Sequence, residues 1–205
     1  FHTETPDYDL YLLSGENENA ICKEFRTLIG RSYIPPKWAF GLAQSRWGYK
    51  TEEDVREVAR QYKEHDLPLD MICMDIDYMQ DYADFTVNKE RFSDLAKLSA
   101  DLKAQGIRLV PIIDAGVRID PNDPTCTEGL EKGYFCKKAD GTPFVAAVWP
   151  GKAYFADFLR PEVREWFGHK YKALTDCGIE GFWNFSHYDL SVSYPDVVVE
   201  NVHLG

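Results

Sequence analysis

The sequence is short of basic residues and contains no long apolar run. Its 205 residues include 23 lysines and arginines against 34 aspartates and glutamates, which gives a formal net charge of −11. A chain this acidic repels phosphate backbones and anionic lipid headgroups. No apolar stretch is long enough to cross a bilayer. Nucleic acid and membranes are therefore not expected partners.

The five cysteines form no pattern that is typical of a metal site or of a disulfide framework. Their number is odd, their spacings are wide, and no CxxC pair or histidine–cysteine spacing occurs. We therefore expect unpaired thiols and no metal site. A reducing, cytoplasmic location is the compartment that fits this pattern best.

Apolar and aromatic residues, in contrast, are abundant. Hydrophobic residues make up 44% of the chain, which predicts a globular domain rather than a disordered one. Five tryptophans and twelve tyrosines contribute to an aromatic share of 14%. Such side chains pack cores, but they also line pockets for sugars and other small molecules. Composition alone leaves both roles open.

From residue 38 onwards, apolar runs typical of strands alternate with helical periodicity. Four strands are predicted, near residues 38–43, 70–76, 107–113 and 180–184. A hairpin turned at Asp140 and Gly141 is expected in the excursion after the third strand. Short strand–helix connections imply right-handed crossovers and a parallel sheet. The pattern is compatible with half of an eightfold barrel or with a small doubly wound sheet.

Helical periodicity occupies the segments between these strands. Thr51 is predicted to cap the first helix, with Asp54 as its partner in a capping box. The second helix is expected over residues 92–102, and the third over residues 161–177. A further helix is predicted over residues 19–29, with Asn19 as the candidate for its cap.

Carboxylates and aromatic rings follow the predicted strands, where parallel α/β folds place their functional sites. The residues concerned are Trp47, Asp75, Asp77, Asp114, Trp149 and Trp183. Carboxylates accept bonds from hydroxyl groups and flat rings cover apolar C–H faces, a mixture that suits a sugar. Asp75 and Asp77 are two residues apart, so they are expected on one side of the strand. A lone aspartate here more often caps a loop, and a tryptophan more often packs in a core.

Several segments, in order along the chain, resemble the catalytic barrel of glycoside hydrolase family 31. They are residues 35–41, 44–49, 69–79, 84–86, 92–94, 148–151 and 178–184. A series of motifs in order is far more specific than any single pattern. The resemblance implies an α/β fold, the first half of a (β/α)8 TIM barrel with about four parallel strands. Residues 1–34 would be a junction after a missing N-terminal β-domain, residues 35–184 the partial barrel, and residues 185–205 an unmatched tail.

The resemblance also implies an activity and a set of site residues. Family members are mostly retaining α-glucosidases and α-xylosidases, which need no metal or organic cofactor. Asp75 resembles the carboxylate that binds hydroxyls of the sugar being cleaved, and Ile76 resembles its neighbour in the pocket wall. Trp149 and Trp183 resemble aromatic walls of that subsite, and Trp47 a further pocket-lining position. We expect Asp75 and the tryptophans at 149 and 183 to converge on one concavity.

The sequence departs from the family pattern after Asn184. The family places its nucleophilic aspartate next, whereas this chain has Phe185, and the family's acid/base aspartate is expected beyond the chain. Retaining hydrolysis needs two carboxylates about 5–5.5 Å apart, so no catalytic residue is assigned here. The leading hypothesis is an inactive fragment of an α-glycosidase that self-associates through open barrel edges. The alternatives are a non-catalytic carbohydrate-binding protein and a lyase or aldolase-type half-barrel, which would need a lysine at a strand end.

Overall fold

The computed structural model describes residues 8–31 and 33–184, which fall into two compact units. The first unit, within residues 1–37, contains helix α1 (Glu18–Ile29). Asn17 caps this helix by accepting a hydrogen bond from the backbone N–H of Ala20. The helix begins one residue earlier than predicted because Asn17, not Asn19, has the extended backbone that an N-cap requires.

The second unit, from Trp38 onwards, is built on a four-stranded parallel sheet and a smaller antiparallel sheet. Its strands are β1 (Ala43–Arg46), β2 (Met71–Met74), β3 (Arg108–Ile113), β4 (Gly116–Arg118), β5 (Val145–Val148), β6 (Gly151–Phe155) and β7 (Trp183–Asn184). The parallel sheet has the order β1-β2-β3-β7, with parallel pairing throughout. The expected half-barrel of four parallel strands is confirmed.

The first strand lies further along the chain than predicted. Residues Lys37–Phe40 form a 3-10 turn, and the N–H of Gly41 closes it on the carbonyl of Trp38. Pairing with β2 starts after Leu42, whose N–H donates to the Asp70 carboxylate at 2.9 Å. The carbonyl of Leu42 in turn accepts from the N–H of Asp70 at 3.0 Å. This reciprocal contact between Leu42 and Asp70 fixes where β1 begins. The apolar run over residues 38–43, on which the prediction rested, does not reveal such a contact.

The helices of the second unit lie between the parallel strands or within the excursion. They are α2 (Glu52–Glu64), α3 (Leu95–Lys103), α4 (Pro124–Glu131), α5 (Pro161–Lys170) and α6 (Lys172–Thr175). The predicted capping box of Thr51 and Asp54 is present at the start of α2. The second predicted helix starts later, because Asp94 caps it and the buried Phe92 lies before it. The third is divided at Tyr171, where the backbone tightens to a bond with the carbonyl of Gly168.

The excursion after β3 holds two hairpins where one was predicted. The expected turn is present, with Gly141 at φ 83° and its N–H on the carbonyl of Lys138. A second hairpin joins β5 to β6 through Trp149 and Pro150. Together with β4 these strands form an antiparallel sheet of order β4-β6-β5. Trp149, one of the predicted site residues, therefore lies in a tight turn.

The two faces of the parallel sheet differ in exposure. On β2, Ile72 and Met74 are fully buried, whereas Met71 and Cys73 are only partly buried. Fully buried leucines of α3 belong to the same core as Ile72 and Met74. Each buried side chain of this size stabilises the fold by about 1.5–3 kcal/mol. One face is thus closed by helices, and the other is the inner face of the half-barrel.

All five cysteines belong to the described part of the chain, and each is a free thiol. Among helices of residues 8–31 and 33–184, none has the length and apolar character needed to span a membrane.

Candidate functional site

One row of residues marks the carboxyl ends of the parallel strands. The strand register places Asp75, Ile112 and Trp183 level with one another, and Trp47 follows β1 at the same level. Met74 belongs to the helix-covered face, and Asp75 directly after β2 keeps an extended backbone, so its side chain is directed to the inner face. With strands about 4.8 Å apart, the four members of this inner row span about 15 Å. The row can line a sugar-sized concavity.

Asp75 is partly buried, and its carboxylate caps a 3-10 turn over Ile76–Tyr78. Its Oδ1 accepts a hydrogen bond from the N–H of Ile76 at 2.8 Å. No other hydrogen bond of this side chain involves a described residue. Ile76 itself is only 2% exposed and belongs to the core. Asp75 is therefore able to bind a ligand directly, whereas Ile76 supports it from behind.

Asp77 lies in the 3-10 turn after β2 and not in the strand that was predicted to place it beside Asp75. β2 has ended by this point, so the period of two no longer applies within the 3-10 turn. Asp77 is only 3% exposed, and one of its oxygens lies 3.6 Å from the guanidinium of Arg91. It is a buried structural carboxylate that connects this turn to the segment before α3.

Trp47 and Trp149 form a pair at the mouth of the inner row. Their ring centroids are 5.6 Å apart with an interplanar angle of 44°. Trp47 is 59% exposed and Trp149 is 50% exposed, although both rings are large and apolar. Exposed aromatic faces next to a carboxylate are typical of a site that covers a sugar ring. The structure thus brings two predicted site residues into contact, and Trp183 lies in the same row as Asp75.

Two buried aspartates lie beside the end of β3. Asp84 and Asp114 are each 5% exposed, and Asp84 Oδ1 accepts from the N–H of Asp114 at 2.9 Å. The pKa of Asp84 is raised to about 7, chiefly by burial. The N–H of Asp114 opposes this shift, whereas the negative charge of Asp114 adds to it. Asp84 is thus a carboxylic acid that is half protonated near neutral pH.

Sequence reasoning did not single out Ile112 or Asp84 as site residues. Ile112 lies in an apolar strand and looks like any other core residue until the register places it beside Asp75. Asp84 lies in a polar loop, where aspartate is ordinarily exposed. Only its position in one of the segments that carry the family resemblance marked it.

The remaining candidate features lie outside the described residues or away from the inner row. Phe185 and the rest of the tail lie outside the described residues. Residues 8–31 and 33–184 contain no group of three or more histidine, cysteine, aspartate or glutamate side chains that could hold a metal. A cavity of about 450 Å³ lies at the opposite, amino ends of the strands, and Tyr62, Leu69 and Ile107 line it. Parallel α/β folds do not place their chemistry at that end.

Comparison with known proteins assigns the chain to one family. A sequence model of the glycosyl hydrolases family 31 TIM-barrel domain matches residues 32–193. The chain is 45% identical to alpha-glucosidase 2 of Bacillus thermoamyloliquefaciens over 193 residues. That alignment covers 90% of this chain and 24% of the relative, so the chain spans about a quarter of that protein.

Solved structures give the same result. The DNJ-bound glucosidase II alpha subunit matches with a TM-score of 0.78 and 30% identity, covering 84% of this chain and 19% of that one. A family 31 dextranase of Flavobacterium johnsoniae, complexed with isomaltotriose, matches with a TM-score of 0.80 and 27% identity. It covers 93% of this chain and 24% of that one. Both resemblances extend over most of the described residues.

Proposed function

Because the chain belongs to glycoside hydrolase family 31, we propose that its inner row is one half of a glycosidase sugar site. The observations that carry this proposal are the partly buried Asp75, which is level with Trp47 in the inner row, and the contact between the exposed rings of Trp47 and Trp149. Relatives named as alpha-glucosidases, at up to 45% identity, support a terminal α-linked glucose as the ligand. An α-linked xylose is the second choice, since an alpha-xylosidase is also 35% identical.

Each side chain has a separate part in the proposed site. Asp75 accepts hydrogen bonds from sugar hydroxyls through its carboxylate, which needs no metal or organic cofactor. Trp47 and Trp149 cover the apolar face of the ring, and Trp183 closes the far wall of the row. Ile76 lies in the core and fixes the carboxylate through its backbone N–H. These parts bind and orient a sugar, but they do not cleave it.

We propose that the parent reaction is retaining hydrolysis and that this chain alone does not perform it. A retaining mechanism needs a nucleophilic carboxylate that forms a covalent glycosyl intermediate. By resemblance, Phe185 occupies that position, and phenylalanine has no oxygen with which to attack. The proposed role of the chain is therefore binding without turnover.

The purified chain is expected to release no p-nitrophenol from the α-glucoside or the α-xyloside. Phe185→Asp alone is not expected to restore activity, because no acid that protonates the leaving oxygen is assigned in this sequence. Asp189→Ala is the control, since Asp189 is the nearest downstream carboxylate and contaminating host enzyme would not respond to it. Activity that disappears in Asp189→Ala would identify the chain as an enzyme in its own right.

A non-catalytic carbohydrate-binding protein is the second candidate function. The feature that favours it is the pair of exposed tryptophans, Trp47 and Trp149, because covering a sugar ring requires no catalytic residue. The candidates differ in affinity: half of a pocket binds a monosaccharide with a Kd of about 1 mM or weaker, whereas a dedicated binding protein reaches about 1 μM. For either candidate we propose a cytoplasmic location, which the five free thiols support.

The 205-residue chain is expected to self-associate in solution. Within the described residues β1 and β7 each pair on one side only, so their outer backbone groups can accept another strand. The partly exposed Met71 and Cys73 on the inner face favour the same association. Analytical ultracentrifugation over a range of concentrations measures it, with the wild-type chain in moderate urea as a control. A single monomeric species with a sharp, cooperative melt would contradict the expectation.

A further inference from the structure

The corner between β3 and β4 is held by a buried side chain from another loop. Asp84 Oδ1 accepts from the N–H of Asp114 at 2.9 Å, and the N–H of the next residue, Ala115, lies near enough to lower the pKa of this carboxyl group. Ala115 has a φ of 53°, a left-handed conformation that a residue with a Cβ rarely adopts. Such a conformation persists only where its surroundings hold it in place. The carboxylate of Asp84 supplies that hold.

The next residue, Gly116, packs directly on the strand that leads to Trp149. A Cβ at Gly116 would lie 2.6 Å from Val148 Cγ2, so only glycine leaves room for this side chain. Gly116 also pairs with Phe155 on β6, and β6 pairs with β5. Val148 is the last residue of β5 and directly precedes Trp149. Any displacement of the corner therefore reaches this tryptophan within two contacts.

A second connection between the same loop and β4 is weaker. The guanidinium of Arg118 lies 3.6 Å from a carboxylate oxygen of Asp81 and 3.8 Å from one of Asp120. The Asp81 side chain is 64% exposed, and ion pairs with so exposed a partner contribute little. The buried bond from Asp84 to the β3–β4 corner is thus the stronger of these two connections.

We infer that Asp84 is a positioning residue that holds Trp149 against Trp47 through the β3–β4 corner and Val148. With only 5% of its surface exposed, Asp84 does not contact a ligand itself. Its contribution is the placement of one aromatic wall, so its importance for sugar binding depends on the proposed function. The geometry of the tryptophan pair does not depend on that function and can be measured without any ligand.

Circular dichroism tests the inference, because two indole rings at this separation produce an exciton couplet. The part of the couplet that disappears in Trp149→Phe belongs to the pair. In Asp84→Ala most of the couplet from the Trp47–Trp149 pair is expected to disappear while the helical signal stays. The reason is that the N–H of Asp114 loses the oxygen that accepts its hydrogen bond. Asp84→Asn is expected to keep the couplet, since an amide oxygen still accepts from the backbone. A full couplet in folded Asp84→Ala would overturn the inference.

Two further variants separate positioning from general destabilisation. Asp94→Ala removes another carboxylate that accepts a backbone N–H, at the start of α3, and is expected to lower stability without changing the couplet. Gly116→Ala leaves Asp84 in place but displaces Val148, and is expected to reduce the couplet. If Asp84→Ala does not fold, the couplet of Gly116→Ala becomes the test of the inference. An unchanged couplet in Gly116→Ala would then overturn it. Absence of sugar binding by the wild-type chain would contradict the proposed function alone.

Discussion

Asp84→Asn is expected to raise the free energy of unfolding at pH 8 by an amount on the order of 4 kcal/mol. Burial raises the pKa of Asp84 to about 7 in the folded chain, whereas an unfolded aspartate titrates near about 3.9. The folded state therefore binds this proton more tightly than the unfolded state. Stability from this group is complete below about pH 4 and is lost as the pH rises through about 7. Asparagine stays neutral throughout and escapes that loss.

The ionisable side chains that face Asp84 act on its pKa in the same direction as burial, whereas the backbone N–H groups oppose it. The negative charges of Asp114 and Asp123 oppose its ionisation, after burial itself. Tyr78 and Tyr171 also face it, and their own pKa values are raised, chiefly by burial and further by the charge of Asp84. None of these neighbours is a cation that would stabilise the ionised carboxylate. The amide of asparagine retains an oxygen for the N–H of Asp114, so the corner keeps its hydrogen bond.

Urea denaturation of the wild-type chain and the variant at pH 4 and pH 8 measures the effect. The difference between them is expected to shrink to less than about 1 kcal/mol at pH 4, where Asp84 is protonated. The comparison must be made at equal pH because Glu128, with a pKa lowered to about 2 by Lys132 and Lys170, has the opposite pH dependence. Asp94→Asn serves as the control, since this cap is exposed. An equal difference at both pH values would refute the prediction.

Asp75→Asn is expected to weaken binding of methyl α-glucoside by about 10- to 100-fold. A hydrogen bond from a sugar hydroxyl to a carboxylate contributes about 1.5–3 kcal/mol, and an amide forms a weaker one. The amide oxygen can still cap the 3-10 turn by accepting from the N–H of Ile76, so the fold is expected to persist. The loss would therefore report recognition of the sugar rather than loss of structure.

Titration of the chain with millimolar sugar, followed by nuclear magnetic resonance, measures this change. Asp81→Asn is the matched control, because Asp81 is an exposed carboxylate in the same loop and asparagine tolerates its left-handed backbone. Equal affinities for the wild type and Asp75→Asn would remove Asp75 from the site. A Kd of about 1 μM for the wild type would instead favour the dedicated carbohydrate-binding protein.

The sequence was sufficient to predict the order and parallel pairing of the four strands. Continuous apolar runs between helical segments are the mark of a parallel sheet, and β2 and β3 lie within the predicted ranges. The start of β1 was wrong because it depends on the Asp70 carboxylate, a contact from 28 residues away. Local patterns carry no information about such a partner.

The candidate site was predictable in its residue types but not in its geometry. Trp47 and Trp149 were marked by motifs, yet their contact depends on a second hairpin that the sequence did not indicate. The burial of Asp84 follows from how the loop after β2 folds onto the end of β3. The roles of Asp75, Ile76 and Trp183 in binding stay predictions, although Asp75 and Trp183 share one row.

The strand order of the parallel sheet has a consequence for how the polypeptide acquires its structure. In β1-β2-β3-β7 each strand pairs with the one that precedes it among the parallel strands. During synthesis, every new strand would therefore find its partner already made, and each helix could close over the newest pair. The long excursion between β3 and β7 is the exception, and its antiparallel sheet can form from contacts within itself. Assembly can thus proceed from the amino end in small steps, which limits the time that apolar strands stay exposed.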